Sequence, residues 1–123
     1  VKDIEIFKKV EAHLLAQKVK SVDADGDCMY RGNNGMMCAV GCLIKDEFYN
    51  TAMERVAVTA AFVHSVLTKS IGDYNENTEN MLSQLQTVHD DKKPEFWQHH
   101  LNAFEFTPEG DYVLYSYKGK ATK

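Results

Sequence analysis

Long apolar runs are missing from this chain. None approaches the ~18 residues a membrane-spanning helix needs, so a helical membrane protein is not expected. Residues 1–7 mix charges with apolar side chains and read as the start of an amphipathic helix, not as a secretory leader. Clustered positive charge is missing too. The 14 basic residues are outnumbered by 18 acidic ones, for a net −4, and only Lys18–Lys20 and the last six residues are locally basic. Nucleic-acid binding needs a basic face that displaces counterions from phosphates, so it is disfavoured; −4 is equally too mild for a nucleic-acid mimic. Cysteine is sparse: three residues, an odd number, suit a reduced cytosol better than a disulfide framework. No repeat, low-complexity stretch or Pro/Gly-rich linker divides the 123 residues, which make one domain by length.

What remains is mostly helical periodicity. Ile4, Phe7, Val10 and Leu14 repeat at helical spacing, with His13 beside the stripe, and predict a helix over residues 4–18 with Asp3 as its cap. Val56, Ala60, Val63 and Leu67 mark a helix over residues 51–68. Met81, Leu82, Leu85 and Val88 mark another over 79–89, capped by Asn77 or Thr78. Pro94 suits a first helical position, and Trp97, His100, Leu101 and Phe104 continue a short last helix.

Two segments break this period. Asn33-Asn34-Gly35 tolerates positive φ, so Cys28–Arg31 and Met36–Cys38 predict a β-hairpin. Phe104-Glu105-Phe106, a turn containing Pro108 and Gly110, and the stretch from Tyr112 to Tyr117 predict a second. The expected fold class is therefore α+β: about four helices packed with one or two small antiparallel β-hairpins.

The residues from Cys28 to Ile44 hold all three cysteines and one of only two arginines, Arg31 and Arg55. Three chemistries fit. Cys38, expected at a helix start where the dipole favours a thiolate, can be a nucleophile with His89 as base and Asp90 as orienter. The plain alternative is a buried thiol and a helix-ending histidine. Cys28, Cys38 and Cys42 with one histidine can make a zinc site, but no close Cys-x₂-Cys pair aims two sulfurs at one ion, and no metal or cofactor is expected. Tyr30 and Arg31, on a turn whose glycines Gly32 and Gly35 expose backbone N–H groups, can receive a small anion or nucleotide-type ligand. An arginine pairing with a nearby carboxylate explains them as well. Asp23, Asp25 and Asp27 alternate like the start of a calcium-binding loop, yet Cys28 stands where its glycine belongs and Asn34 where its glutamate belongs. They read as an acidic turn.

The blocks Cys28-x-Tyr30-Arg31, Cys38-Ala-Val-Gly-Cys42-Leu-Ile44 before Asp46-Glu-Phe-Tyr49, and Leu82-Ser-Gln-Leu85-Gln86-Thr-Val-His89-Asp90 with Trp97 and Leu101 are similar to those of a group of small proteins encoded by bacteriophages and bacteria. The resemblance covers roughly residues 4–101. It implies a phage source and the cytoplasm of a bacterial host, but no activity. With no complete catalytic or cofactor motif, the expected function is a non-enzymatic accessory protein that binds a host or phage protein. The aromatics from Phe104 to Tyr117 are candidate interface anchors. The rival expectations are a cysteine-dependent hydrolase or transferase using Cys38 and His89, and an anion binder at the turn from Tyr30 to Gly35.

Overall fold

The computed structural model describes residues 1–113. They form four α-helices: α1 (Asp3–Gln17), α2 (Ala61–Ile71), α3 (Glu76–Asp91) and α4 (Trp97–Leu101), with short 3₁₀ turns between them. No helix among the described residues is long and apolar enough to cross a membrane.

The stripes of α1 and α3 enclose the core. Ile6, Phe7, Val10 and Leu14 of α1 meet Met81, Leu82, Leu85 and Val88 of α3, while Trp97 and Leu101 of α4 close the end. Asp3 is not the cap but the first residue of α1, and it is buried. Its carboxylate accepts from Thr78 Oγ1 at 2.5 Å, from the Tyr112 N–H at 2.9 Å and from Asn77 at 3.3 Å. One acidic side chain thus ties α1 and the C-terminal turn to the start of α3, whose cap is Asn75, accepting from Thr78 N–H.

The α+β expectation is overturned. Among the described residues there is no β-strand or sheet, only three isolated antiparallel bridges: Val22–Cys28, Arg31–Met37 and Phe106–Tyr112. The reason lies in where the backbone groups go. Around the Asn33–Gly35 turn, Gly32 N–H bonds Met36 O at 2.9 Å and Cys38 N–H bonds Tyr30 O at 3.3 Å. A ladder would continue with the Tyr30 N–H on the Cys38 carbonyl, but Glu54 takes that donor. The backbone groups of Arg31 and Met37 face outward, where a further strand would pair, and side chains bond them instead. Glu54 accepts the N–H groups of Tyr30 and Arg31 at 2.8 and 3.0 Å. Gln17 accepts from Met37 N–H at 2.9 Å and donates to Met37 O at 3.0 Å, and the His13 ring bonds that same carbonyl at 2.8 Å. The loop closes without a sheet.

The helix expected over residues 51–68 is also shorter. Thr51–Met53 is a 3₁₀ turn, Arg55 takes a left-handed φ of 66°, and α2 starts only at Ala61. Val56, Val58 and Thr59 are β-branched and weak helix formers, and the Tyr30 hydroxyl bonds Val56 O at 2.5 Å, holding that carbonyl outside any helix. In the C-terminal segment Phe104 and Tyr112 are buried, with Phe104 packing on Phe7 at 5.3 Å between ring centroids. They serve the core; the remainder of the expected second hairpin, beyond Val113, lies outside the described residues.

Candidate functional site

The side chains that carry possible chemistry gather where α3 ends against the loop at residues 20–31. One ligand atom each from Cys28, His89 and Asp90 lie within 4.8 Å of one another. In front of them opens a depression of about 330 Å³ lined by Cys28, Tyr30, Glu54, Val56, Gln86 and Asp90 among others. The thiol beside His89 and Asp90 is therefore Cys28, not Cys38.

His89 has no exposed surface, and both its ring nitrogens are engaged. Ser21 N–H donates to Nε2 at 2.9 Å, which fixes Nε2 as an acceptor. The ring proton must then sit on Nδ1, 2.7 Å from Asp90 Oδ1. This tautomer decides what His89 can do. Its one lone pair already holds a backbone N–H, so it has none to take a thiol proton. A metal at Nδ1 would have to displace the only ring proton and leave an imidazolate, so the Cys28–His89–Asp90 cluster is a poor metal centre despite its ligand types. The ring stacks on Trp97 at 5.6 Å. A turn of α3 ending on His89 is thus fastened to the loop at Ser21 and to α4.

Asp90 is the hub. Besides His89, its Oδ1 accepts from Gln86 at 3.0 Å, while its backbone carbonyl accepts from Lys20 at 2.9 Å. Burial and the neighbouring Asp90 carboxylate push the Cys28 thiol up to about 11. Cys38 is fully buried and does not lie in the cluster; Gln86 stands between, bonding Asp90 and accepting Val40 N–H at 3.1 Å. Cys38 precedes a three-residue 3₁₀ turn, Gly41–Leu43, rather than an α-helix. Its sulfur accepts Gly41 N–H at 3.3 Å, yet burial outweighs this and raises the thiol to about 12. Burial raises Cys42 to about 12 as well. All three thiols stay protonated near neutral pH, the opposite of the depressed pKa a nucleophile needs.

The proposed anion site is occupied from within. Glu54 sits on the Tyr30 and Arg31 amides, and its Oε2 also accepts from the Tyr49 hydroxyl at 2.5 Å. The Arg31 guanidinium bonds Ile44 O at 2.6 Å and Asp46 at 2.9 Å, and lies 5.0 Å over the Tyr49 ring. Nothing in the residues flanking Glu54 announces this clamp, because Glu54 lies 23 positions beyond Arg31. Asp23, Asp25 and Asp27 converge as the alternation suggested, but Asp23 folds back on the amides of Asp25 and Asp27 at 2.8 and 3.0 Å. Arg55 offsets part of the turn's negative charge through Asp23 at 2.8 Å and Asp27 at 3.6 Å.

A second depression, about 390 Å³, lies between the end of α1 and the start of α4 and is lined by Leu14, Leu15, Lys18, Pro94, Glu95 and Trp97. Chain neighbours of its lining residues, Val19 and Phe96, stand 47% and 50% exposed. In comparisons with known proteins, no family model, curated protein or solved structure matches this chain.

Proposed function

We propose that this chain is a non-enzymatic binding protein of phage origin that docks on a host or phage protein. The observation that carries the reading is the state of the reactive side chains. His89 has both nitrogens engaged, and Cys28, Cys38 and Cys42 are all held as thiols. The groups that would do chemistry are spent on holding loops to helices. The resemblance to phage-encoded proteins supports the choice of partner.

The surface best suited to docking is the groove between α1 and α4. Phe96 and Val19 offer exposed apolar area beside it, and large aromatic side chains anchor interfaces when a partner covers them. Lys18 lines the groove, and Lys92 and Lys93 directly precede Pro94. With Glu95 also lining it, the groove is of mixed charge and fits a partner segment with apolar side chains flanked by charges of both signs. Affinity purification from infected cells with tagged wild-type chain and tagged Phe96→Asp tests this. A protein retained by the first and lost by the second supports the reading. Retention by both places the interface elsewhere. Turnover of a metabolite by the purified chain, with no captured partner, overturns it.

A further inference from the structure

We infer that the depression of about 330 Å³, walled by α3 and by residues 28–30 and 54–58, is a binding site for a small organic cation. The ligand class is a primary ammonium on a short alkyl chain, with Asp90 as its anchor. Small ligands bind in cavities of this size that combine apolar wall with a few converging polar groups. This wall supplies both. Met29, Val56, Ala57 and Val58 form an apolar side, and Glu54 and Asp90 contribute two carboxylates.

Neither carboxylate has a cation on it among the described residues. Glu54 accepts only from neutral donors, the Tyr30 and Arg31 amides and the Tyr49 hydroxyl. Asp90 accepts at Oδ1 from Gln86 and from the neutral His89 ring. A carboxylate has about four acceptor sites, and 34% of this side chain stays open to solvent. The cations nearby are committed elsewhere. Lys20 bonds the Asp90 backbone carbonyl, Arg55 pairs with Asp23 and Asp27, and Arg31 bonds Asp46 and Ile44 O.

Neighbours in the wall feel the resulting negative field. Burial raises both the Cys28 thiol and the Tyr30 hydroxyl, and the Asp90 carboxylate raises each further. A part-buried carboxylate attracts a cation more strongly than an exposed one, because less water screens the pair. A bare inorganic ion would leave the apolar side unused, and the His89 proton on Nδ1 keeps a transition metal out of the cluster. An alkyl chain covers Val56 and Val58 while its ammonium displaces the Cys28 thiol, a weak donor, from Asp90. A free amine and a lysine side chain of a partner protein share this chemistry. The site does not depend on the groove between α1 and α4, so the two readings stand or fall separately.

The test is an NMR titration of the ¹⁵N-labelled chain with n-butylammonium chloride, with n-butanol as the uncharged match. Backbone amide resonances of Cys28, Val56 and Val58 move with butylammonium and saturate with a Kd on the order of 1 mM, ordinary for so small a ligand. Butanol leaves them in place at the same concentrations. Raising sodium chloride from about 20 to about 200 mM weakens butylammonium binding, since salt screens the charge pair. Asp90→Asn keeps an oxygen for His89 and Gln86 but removes the charge, and weakens binding about tenfold or more. N-acetyl-lysine methylamide, which carries the same butylammonium on a peptide backbone, separates the sources: equal binding points to a partner's lysine, and exclusion to a free amine. The site is refuted if butanol binds as well as butylammonium, if butylammonium gives no saturable shift, or if folded Asp90→Asn binds it like wild type. Should Asp90→Asn not fold, the comparison of the two probes on wild type decides alone.

Discussion

The helices and the segment between α1 and α2 share one apolar core, but their backbones are fixed in different ways. In α1, α3 and α4 the stripes Ile6-Phe7-Val10-Leu14 and Met81-Leu82-Leu85-Val88 meet Trp97 and Leu101, and stability comes from apolar area removed from water. Residues 18–60 have no such stripe. They bury Tyr30, Val40, Leu43, Ile44 and Met53 in the same core, but their irregular backbone is fixed one polar contact at a time: Gln17 on Met37, Glu54 on Tyr30 and Arg31, Gln86 on Val40, His89 on Ser21. The comparison teaches that a segment can be ordered without regular structure when the helices and its own Glu54 lend it side-chain acceptors and donors. Such order rests on a few groups, and it uses up the polar chemistry that a sequence reader would assign to a site.

Single substitutions break this contrast at different places. The largest effect is expected at the junction. A Cβ on Gly41 would stand 2.0 Å from the Tyr30 carbonyl oxygen and 2.9 Å from its carbon. Both obstacles are backbone, so Gly41→Ala forces the loop off the core and costs about 4 kcal/mol or more, read as loss of a cooperative urea transition. Leu85→Ala, in the fully buried stripe of α3, costs about 3 kcal/mol through lost transfer energy and a cavity. It lowers the stability of the whole molecule. Glu54→Ala leaves the Tyr30 and Arg31 amides without an acceptor, for about 2 kcal/mol. Its signature is local: hydrogen exchange of those two amides accelerates more than that of α3. If Glu54→Ala and Leu85→Ala accelerate the same amides equally, the two regions are one cooperative unit and the contrast fails. Gln17→Ala, removing two bonds to Met37 at the part-buried end of α1, costs about 1 kcal/mol.

The difference between regions also explains what could be read from sequence. A helical stripe is a local pattern, so α1 and the middle of α3 were legible from Val10, Leu14, Leu82 and Leu85. The turn at Asn33–Gly35 was legible from residues that accept positive φ; Asn34 does so at 60°. Strand formation was not, since it depended on whether Glu54 would claim the Tyr30 N–H and Gln17 the outward-facing groups of Met37 where a further strand would pair. Local sequence cannot show that competition. The same holds at the site. Cysteine, histidine and aspartate were available as types, but Cys28, not Cys38, reaches His89 and Asp90, because the loop folds back along α3 through the Val22–Cys28 bridge. The mask on His89 is a backbone amide from Ser21, and amides carry no sequence signature.

Thiol ionisation gives a smaller, pH-dependent test. Cys38 is raised to about 12 by burial, whereas an unfolded thiol ionises near 8.5. Its contribution is therefore complete below about pH 8.5 and declines as pH rises toward the folded value, because only the unfolded chain releases the proton. Between pH 9 and 11 unfolding free energy should fall by up to ~1.4 kcal/mol per pH unit for this thiol. Cys38→Ala should flatten that part of the slope.

The most direct measurement of the central claim is iodoacetamide labelling of the folded chain across pH, with adducts mapped to Cys28, Cys38 and Cys42. If His89 and the thiols serve structure, labelling at pH 7 is slow everywhere. Cys28 leads as pH rises toward its value of about 11, Cys38 reacts only when the protein unfolds, and His89→Ala speeds labelling by loosening the loop. Rapid labelling of Cys38 or Cys28 at pH 7 that slows in His89→Ala would contradict the account and reinstate a cysteine nucleophile.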